Sequence, residues 1–215
     1  MALSLHADIL ADELDTLDAS NRAQLRRSLT VMRDNMLRSY ELMQHYLLVV
    51  RVQDAPREPV ELGTYIDTWC AEMRAHLAAR GLTLRWEIEG TLGYVGLHQP
   101  SFRQALSNLL DYAEASMPEP GTVTFRGHRF PGHVCLEVHE TPVRLSPEEV
   151  ATLFDLGAKT RPPTPGLGLV LTREVVRAHL GEITVTSLGE AGVTFTITLP
   201  LLDAARRQSD TPEEH

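Results

Sequence analysis

The chain has 215 residues, 43% of them hydrophobic and 23% charged, with a formal net charge of −9. That is the composition of a globular protein holding one domain or two modest ones, and the acidic balance argues against nucleic acid as a partner, since phosphate backbones need a basic surface. No apolar run reaches the length of a membrane span, Met1–Leu10 lacks a signal-peptide pattern, and Cys70 and Cys135 have no metal-ligand spacing; a reduced, cytoplasmic protein with no metal site and no membrane contact in this chain is expected.

Leu3, Leu10, Leu14 and Leu17 mark a short amphipathic helix, and Asp18, Ser20 and Asn21 offer a turn and a new cap. A long helix follows, with Leu25, Leu29, Met32, Met36, Tyr40, Met43, Leu47 and Val50 stepping by four and three along one seam. The short helix cannot cover this seam, so residues 1–54 are expected to form a helical hairpin that pairs with a second copy as a dimeric four-helix bundle. Pro56 and Pro59 place a linker at 55–62.

Residues 63–201 read as a second, α+β domain. Helices are expected from Leu62 to Arg80, from Gln99 to Met117 and, behind the Ser146/Glu149 capping pattern, over Ser146 to Phe154. Strands are expected at Leu82 to Glu89, Thr122 to Arg129, His133 to His139, and as a closing hairpin at Glu182 to Ser187 and Val193 to Leu199. Ala158 to Pro165 reads as a loop, and 202–215 as a mobile tail. The sheet of this sandwich is expected to be mostly antiparallel.

Between loop and hairpin stands PGLGLVLTREVVRAHLG, in which Gly166 and Gly168 open an amphipathic helix. Such a turn points bare backbone N–H groups and the positive helix end at one place, which suits a phosphate, and it also serves plain helix–sheet packing. This run, the REPVEL linker and the closing GEAGVTFTITLPL resemble the bacterial sensor histidine kinases, which join a dimerisation and phosphotransfer hairpin to an ATPase domain of the gyrase, Hsp90, kinase and MutL type. The resemblance covers roughly residues 10 to 201 and implies that fold, an ATP and magnesium site, and a response-regulator receiver as partner.

Residue by residue, the implied nucleotide site is damaged. RQALSNLLDYAEAS stands at the asparagine box: Asn108 matches its first asparagine, while Tyr112 replaces the second, a magnesium ligand, and Ala115 replaces the phosphate-binding lysine. A phenol substitutes poorly for an amide oxygen at Mg²⁺. At the first glycine box, Glu140 takes the place of the aspartate that meets the adenine amino group, and Pro142 and Arg144 take the places of its glycines. Arg144 could reach a phosphate or fill the base pocket. Lys159 and Arg161 are the only cations between Phe154 and Gly166.

The vestigial nucleotide-binding set is therefore Asn108, Glu140, Lys159, Gly166 and Gly168, with no cofactor expected or a weakly bound Mg-ATP. His6 is the one candidate phospho-acceptor, although nothing around it matches the family's acceptor box, and a structural role is the alternative. His45 reads as structural and His179 as a helix-end residue, while His98 and His139 flank the pocket with no third zinc ligand. Three readings stay open: a pseudokinase or phosphotransferase-like dimer that docks a receiver, a divergent active kinase whose acceptor helix lies upstream, and an ATP-independent scaffold.

Overall fold

The computed structural model describes residues 26–33, 36, 55–88, 90–117, 121–155 and 167–202. The chain divides into two compact units, Met1–Leu47 and Leu48–His215. In the first, residues 26–33 are helical, and Val31, Met32 and Met36 are exposed. The expected short helix and the rest of the long one lie outside the described residues.

The second unit runs β1 (Glu58–Glu61), α1 (Leu62–Ala78), β2 (Thr83–Ile88), β3 (Tyr94–Leu97), α2 (Gln99–Ser116), β4 (Thr122–Phe130), β5 (His133–Thr141), α3 (Pro147–Thr152), α4 (Gly168–Ala178), β6 (Glu182–Ser187) and β7 (Val193–Pro200). Five strands form one sheet in the order β2-β4-β5-β7-β6. Only the β2–β4 pair is parallel; the other pairs are antiparallel, so the sheet is mixed. Strict alternation along β5 buries Val134, Leu136 and Val138 on one face and leaves His133, Cys135 and Glu137 half-exposed on the other. The helices supply the opposing apolar stripes: Leu62, Ile66, Trp69, Cys70 and Leu77 from α1, and Phe102, Leu106, Leu109 and Ala113 from α2. Trp69 meets Phe125 edge-on at 5.5 Å inside this core.

Two strands differ from expectation. Glu58–Glu61 falls in the expected linker but pairs antiparallel with Tyr94–Leu97 as a separate two-stranded sheet. Each strand has four residues, too few for alternation to register in a sequence, and Pro59 is tolerated because this ladder has an open edge. Glu61 then locks the join: its carboxylate accepts from the Thr64 N–H at 2.7 Å, as the N-cap of α1, and from the Gly93 N–H at 3.1 Å. At α3 the capping box forms as expected, with Ser146 Oγ accepting from the Glu149 N–H at 3.2 Å and Glu149 accepting from the Ser146 N–H at 2.8 Å.

The end of α4 is less comfortable. Leu180 adopts a left-handed φ of 60°, and the Leu180 and Gly181 N–H groups return to the carbonyls of Arg177 and Val176. This closure normally uses glycine at the left-handed position. Gly181, the next residue, is small for another reason: a Cβ there would stand 2.4 Å from the Thr198 carbonyl oxygen. Leu180 is 72% exposed, so its side chain contributes little burial to offset the strain. Leu180→Gly is expected to raise stability by about 0.5–1 kcal/mol in chemical denaturation, relieving most of the left-handed penalty. A lower midpoint in the variant would contradict this account.

Candidate functional site

The helix that carries the asparagine-box residues lies beside the helix that follows the glycine turn, and polar bonds fix the two together. Asn108 Nδ2 donates to the Gly168 carbonyl at 3.0 Å, and Gln104 Nε2 donates to Asn108 Oδ1 at 3.0 Å. Thr172 Oγ1, wholly buried, lies 2.9 Å from the Gly168 carbonyl and 3.3 Å from that of Ala105. Both ends of the Asn108 amide are thus engaged inside the protein. Gly168 begins α4, and a Cβ added there would meet Asn108 Cβ at 3.5 Å, an ordinary contact. The neighbour of this glycine is α2, not the sheet, and packing does not demand that it be glycine. Gly166, Lys159 and His6 lie outside the described residues.

Four residues beyond Asn108, Tyr112 turns into the core. It is 2% exposed and meets Phe195 of β7 edge-on at 5.5 Å, while Phe154 meets the same ring at 6.2 Å. Asp111 and Ala115 are exposed. The last turn of α2 therefore offers an aromatic to the interior and a methyl group to solvent where the resemblance implied a magnesium ligand and a cation.

Glu140 is the polar counterpart across the layer. It continues the inward phase of Val134, Leu136 and Val138 on β5, is 0% exposed, and neither carboxyl oxygen has a hydrogen-bond partner among the described residues. Burial holds its carboxyl well above the ordinary carboxylate range, so the acid form is favoured. The Tyr112 hydroxyl is also buried and unpartnered; burial, then the nearby Glu140 charge, push it up. Beyond β5 the chain turns through a cis Thr141–Pro142 bond, Val143 enters the core and Arg144 is exposed, which leaves the pocket-filling alternative for Arg144 unsupported.

The histidines divide differently from the sequence reading. His139 lies on the opposite face of β5 from Glu140, with Nδ1 2.9 Å from Thr194 Oγ1, so it does not flank the pocket. His179 does cap the end of α4 but is 2% exposed: Nδ1 lies 2.7 Å from the Val175 carbonyl, which places a proton there, and Nε2 accepts the His98 N–H at 3.0 Å. Burial pushes its imidazole below the ordinary value, so this is a neutral bridge between helices rather than a cation on a helix end. Its apolar neighbours in the sequence, VVRAH, signalled burial that the helix-end argument passed over. Cys70 is buried with its thiol pushed up to about 12, and Cys135 is half-buried. Among the described residues no His, Cys, Asp and Glu side chains converge to hold a metal ion, and no helix is long and apolar enough to cross a membrane.

At these three positions the Asn108 oxygen accepts from Gln104, Tyr112 is a core aromatic, and Ala115 presents a methyl group. The acid at Glu140 makes a separate claim on stability. Its pKa is raised on folding, so its contribution is fully present below the unfolded value of 4.5 and is lost as pH rises through the higher folded value. Glu140→Gln keeps the shape and removes the titration. Its stability relative to the parent is expected to grow between pH 5 and pH 8, by up to about 1.4 kcal/mol per pH unit while only the folded state stays protonated. Parallel urea curves at all pH values would refute a buried neutral acid.

With this geometry in view, comparisons place the second unit. Residues 98–203 match the family model for the histidine kinase-, DNA gyrase B-, and HSP90-like ATPase. The sensor-like histidine kinase SenX3 of Mycobacterium tuberculosis is 28% identical over 184 residues, covering 81% of this chain and 45% of that protein. The adaptive-response sensory kinase SasA of Synechocystis is 29% identical over 133 residues, covering 60% of this chain and 35% of its own length. The chain thus spans less than half of either relative. The crystal structure of the histidine kinase ThkA in complex with the response regulator TrrA aligns with a TM-score of 0.63 over 93% of this chain and 57% of that one, at 15% identity, a likeness of fold. Residues 98–203 are thus similar to the histidine kinase-, DNA gyrase B- and HSP90-like ATPase family, and the relatives the chain resembles are sensor histidine kinases.

Proposed function

We propose that this chain is a two-component signalling protein with a degraded ATP site, a pseudokinase or phosphotransferase-like dimer whose helical hairpin docks a response-regulator receiver. The observation that carries the reading is Tyr112: a phenol built into the core against Phe195, at the position the family gives to a magnesium ligand. Three more features support it. Asn108 spends its amide on Gln104 and Gly168, Ala115 supplies no charge, and Pro142 and Arg144 stand where two glycines are expected. A fold-level neighbour, ThkA, has been captured with its response regulator, which supports a receiver as partner. In such a scheme His6 is the candidate acceptor and the helical seam from Leu25 to Val50 makes the dimer; Met32 and Met36 of that seam are 62% and 41% exposed in a single chain.

Two measurements test the proposal. Calorimetry with Mg-ATP is expected to show a Kd of about 100 μM or weaker, roughly −5.5 kcal/mol of binding. A low-micromolar, magnesium-dependent Kd would sink the degraded-site reading and favour a divergent active kinase. Sedimentation of the full chain at micromolar concentration is expected to give a dimer, and Met32→Glu to shift it toward monomer. A monomeric parent would remove the bundle from the model of function.

A further inference from the structure

The five-stranded sheet ends in two edge strands, and they are built differently. β2, at one end, carries the exposed charges Arg85 and Glu87, and β1, in the separate small sheet, carries Pro59. Charge and proline on an edge strand are the usual guards against pairing with another chain. β6, at the other end, has neither along its length after Glu182: Ile183 to Ser187 include no charge, proline or glycine, and all but Ser187 are β-branched. Leu180 and Leu188, 72% and 73% exposed, are the most exposed large apolar side chains among the described residues, and they stand just beyond its two ends.

The ladder fixes which backbone groups this edge offers. The Leu188 N–H donates to the Gly192 carbonyl at 3.1 Å, in the register that pairs Thr186 with Thr194, Thr184 with Thr196 and Glu182 with Thr198. Bonded pairs alternate along an antiparallel ladder, so these even-numbered residues commit their backbone groups to β7. The far side of β7 agrees. The Leu201 N–H donates to the Gly132 carbonyl at 3.0 Å, which commits the odd-numbered residues of β7 to β5. The backbone N–H and C=O groups of Ile183, Val185 and Ser187 therefore point away from β7, and no other described strand takes them.

The occupant that matches this edge is a second copy of it. Laid antiparallel about a two-fold axis at Val185, two copies of β6 set Val185 opposite Val185 and Ile183 opposite Ser187, so that the outward backbone groups bond one another. On the exposed face the same register sets Thr184 opposite Thr186 of the second copy, a pairing that stabilises neighbouring strands. Glu182, the one charge on the strand, falls opposite Leu188 and about 20 Å from its own symmetry mate, more than twice the screening length of ~8 Å at physiological salt. We propose that β6 is a self-pairing edge through which two copies of this chain join their sheets, a contact separate from the helical seam. Its six residues make an interface well below the roughly 1,000 Å² of a stable complex, so the contact is weak and forms at high concentration. Where the bundle dimer also forms, each dimer carries two such edges, and pairing links one dimer to the next.

Sedimentation equilibrium of the full chain from about 5 μM to about 500 μM tests it. The weight-average mass is expected to rise at least about 1.5-fold across that range, with a Kd of about 100 μM. Added salt should strengthen the association, because the paired strands are nearly uncharged while the chain carries −9. Thr184→Lys with Thr186→Lys sets like charges directly opposite across the two-fold and should abolish the rise, whereas Thr184→Lys with Thr186→Glu sets opposite charges there and should restore it to within about threefold in Kd. Both positions are exposed, and circular dichroism melts verify that each variant is folded. Amide exchange followed by NMR at the upper concentration should slow about threefold at Ile183, Val185 and Ser187 and stay unchanged at Thr184 and Thr186, which already bond β7. Met32→Glu acts on the helical seam and should leave the rise intact, so loss of the bundle dimer and loss of this contact are read separately. Absence of any rise up to about 500 μM overturns self-pairing and leaves the edge to an extended segment of another protein. A rise that the first double variant keeps, or that the second fails to restore, overturns it as well.

Discussion

The architecture of the second unit depends on how α2 and α4 are held against each other. Apolar faces alone would let two helices slide and rotate by fractions of a turn, because dispersion and burial have little directionality. Here directional bonds set the register at both ends. Near the start of α4, Asn108 donates to the Gly168 carbonyl and Thr172 to the Ala105 carbonyl, and His179 receives the His98 N–H near its finish. Arg57, arriving from the segment before β1, donates to the Ala178 carbonyl at 3.0 Å and places a positive charge at the negative end of the same helix. The side of α2 that the family resemblance assigns to a nucleotide is thereby employed in building the domain.

A consequence is that one helix presents three motif positions in three unlike settings. Asn108, Tyr112 and Ala115 are spaced by four and three, which puts them along one stripe of α2. Yet Asn108 is held by polar bonds, Tyr112 is sealed in the core and Ala115 is exposed. The stripe crosses from the helix–helix seam through the interlayer to the rim within two turns. A residue's place along it, more than its match to a motif, determines whether it packs or faces water. The same holds on β5, where a period of two puts Glu140 inside and His139 outside although they are neighbours in sequence.

Much of this was legible in the sequence wherever a periodicity ran long enough. The apolar stripes of α1 and α2, the alternation of β4, β5 and β7 and the closing hairpin all carry signals spread over six residues or more, while the capping box from Ser146 to Glu149 is a short motif with its own signature. The strands Glu58–Glu61 and Tyr94–Leu97 escaped because each is four residues long and their pairing is set by distant partners. At the candidate site the residues were readable and their environments were not. Alternation would have buried Glu140 and helical spacing would have buried Tyr112, but a motif alignment asks only which residue stands at a position. His179 reads as a helix-end residue because end effects are local, whereas its neutrality follows from burial, which also depends on packing against segments as distant as His98, 81 positions away.

The cost of Glu140 is the part of the fold that internal packing leaves unexplained. Tyr112, Phe195 and Phe154 form a run of edge-on aromatic contacts that fills the interlayer without help from a ligand. An apolar residue at position 140, in phase with Val134, Leu136 and Val138, would extend that packing at no electrostatic cost. The carboxyl group instead forgoes its hydration and finds no partner among the described residues, where a buried unsatisfied polar group costs about 1–3 kcal/mol. A protein with only about 5–15 kcal/mol of net stability carries such a loss as a substantial fraction of the whole. Stability alone therefore selects against Glu140, at a strand position whose neighbours in phase, Val134, Leu136 and Val138, are all apolar.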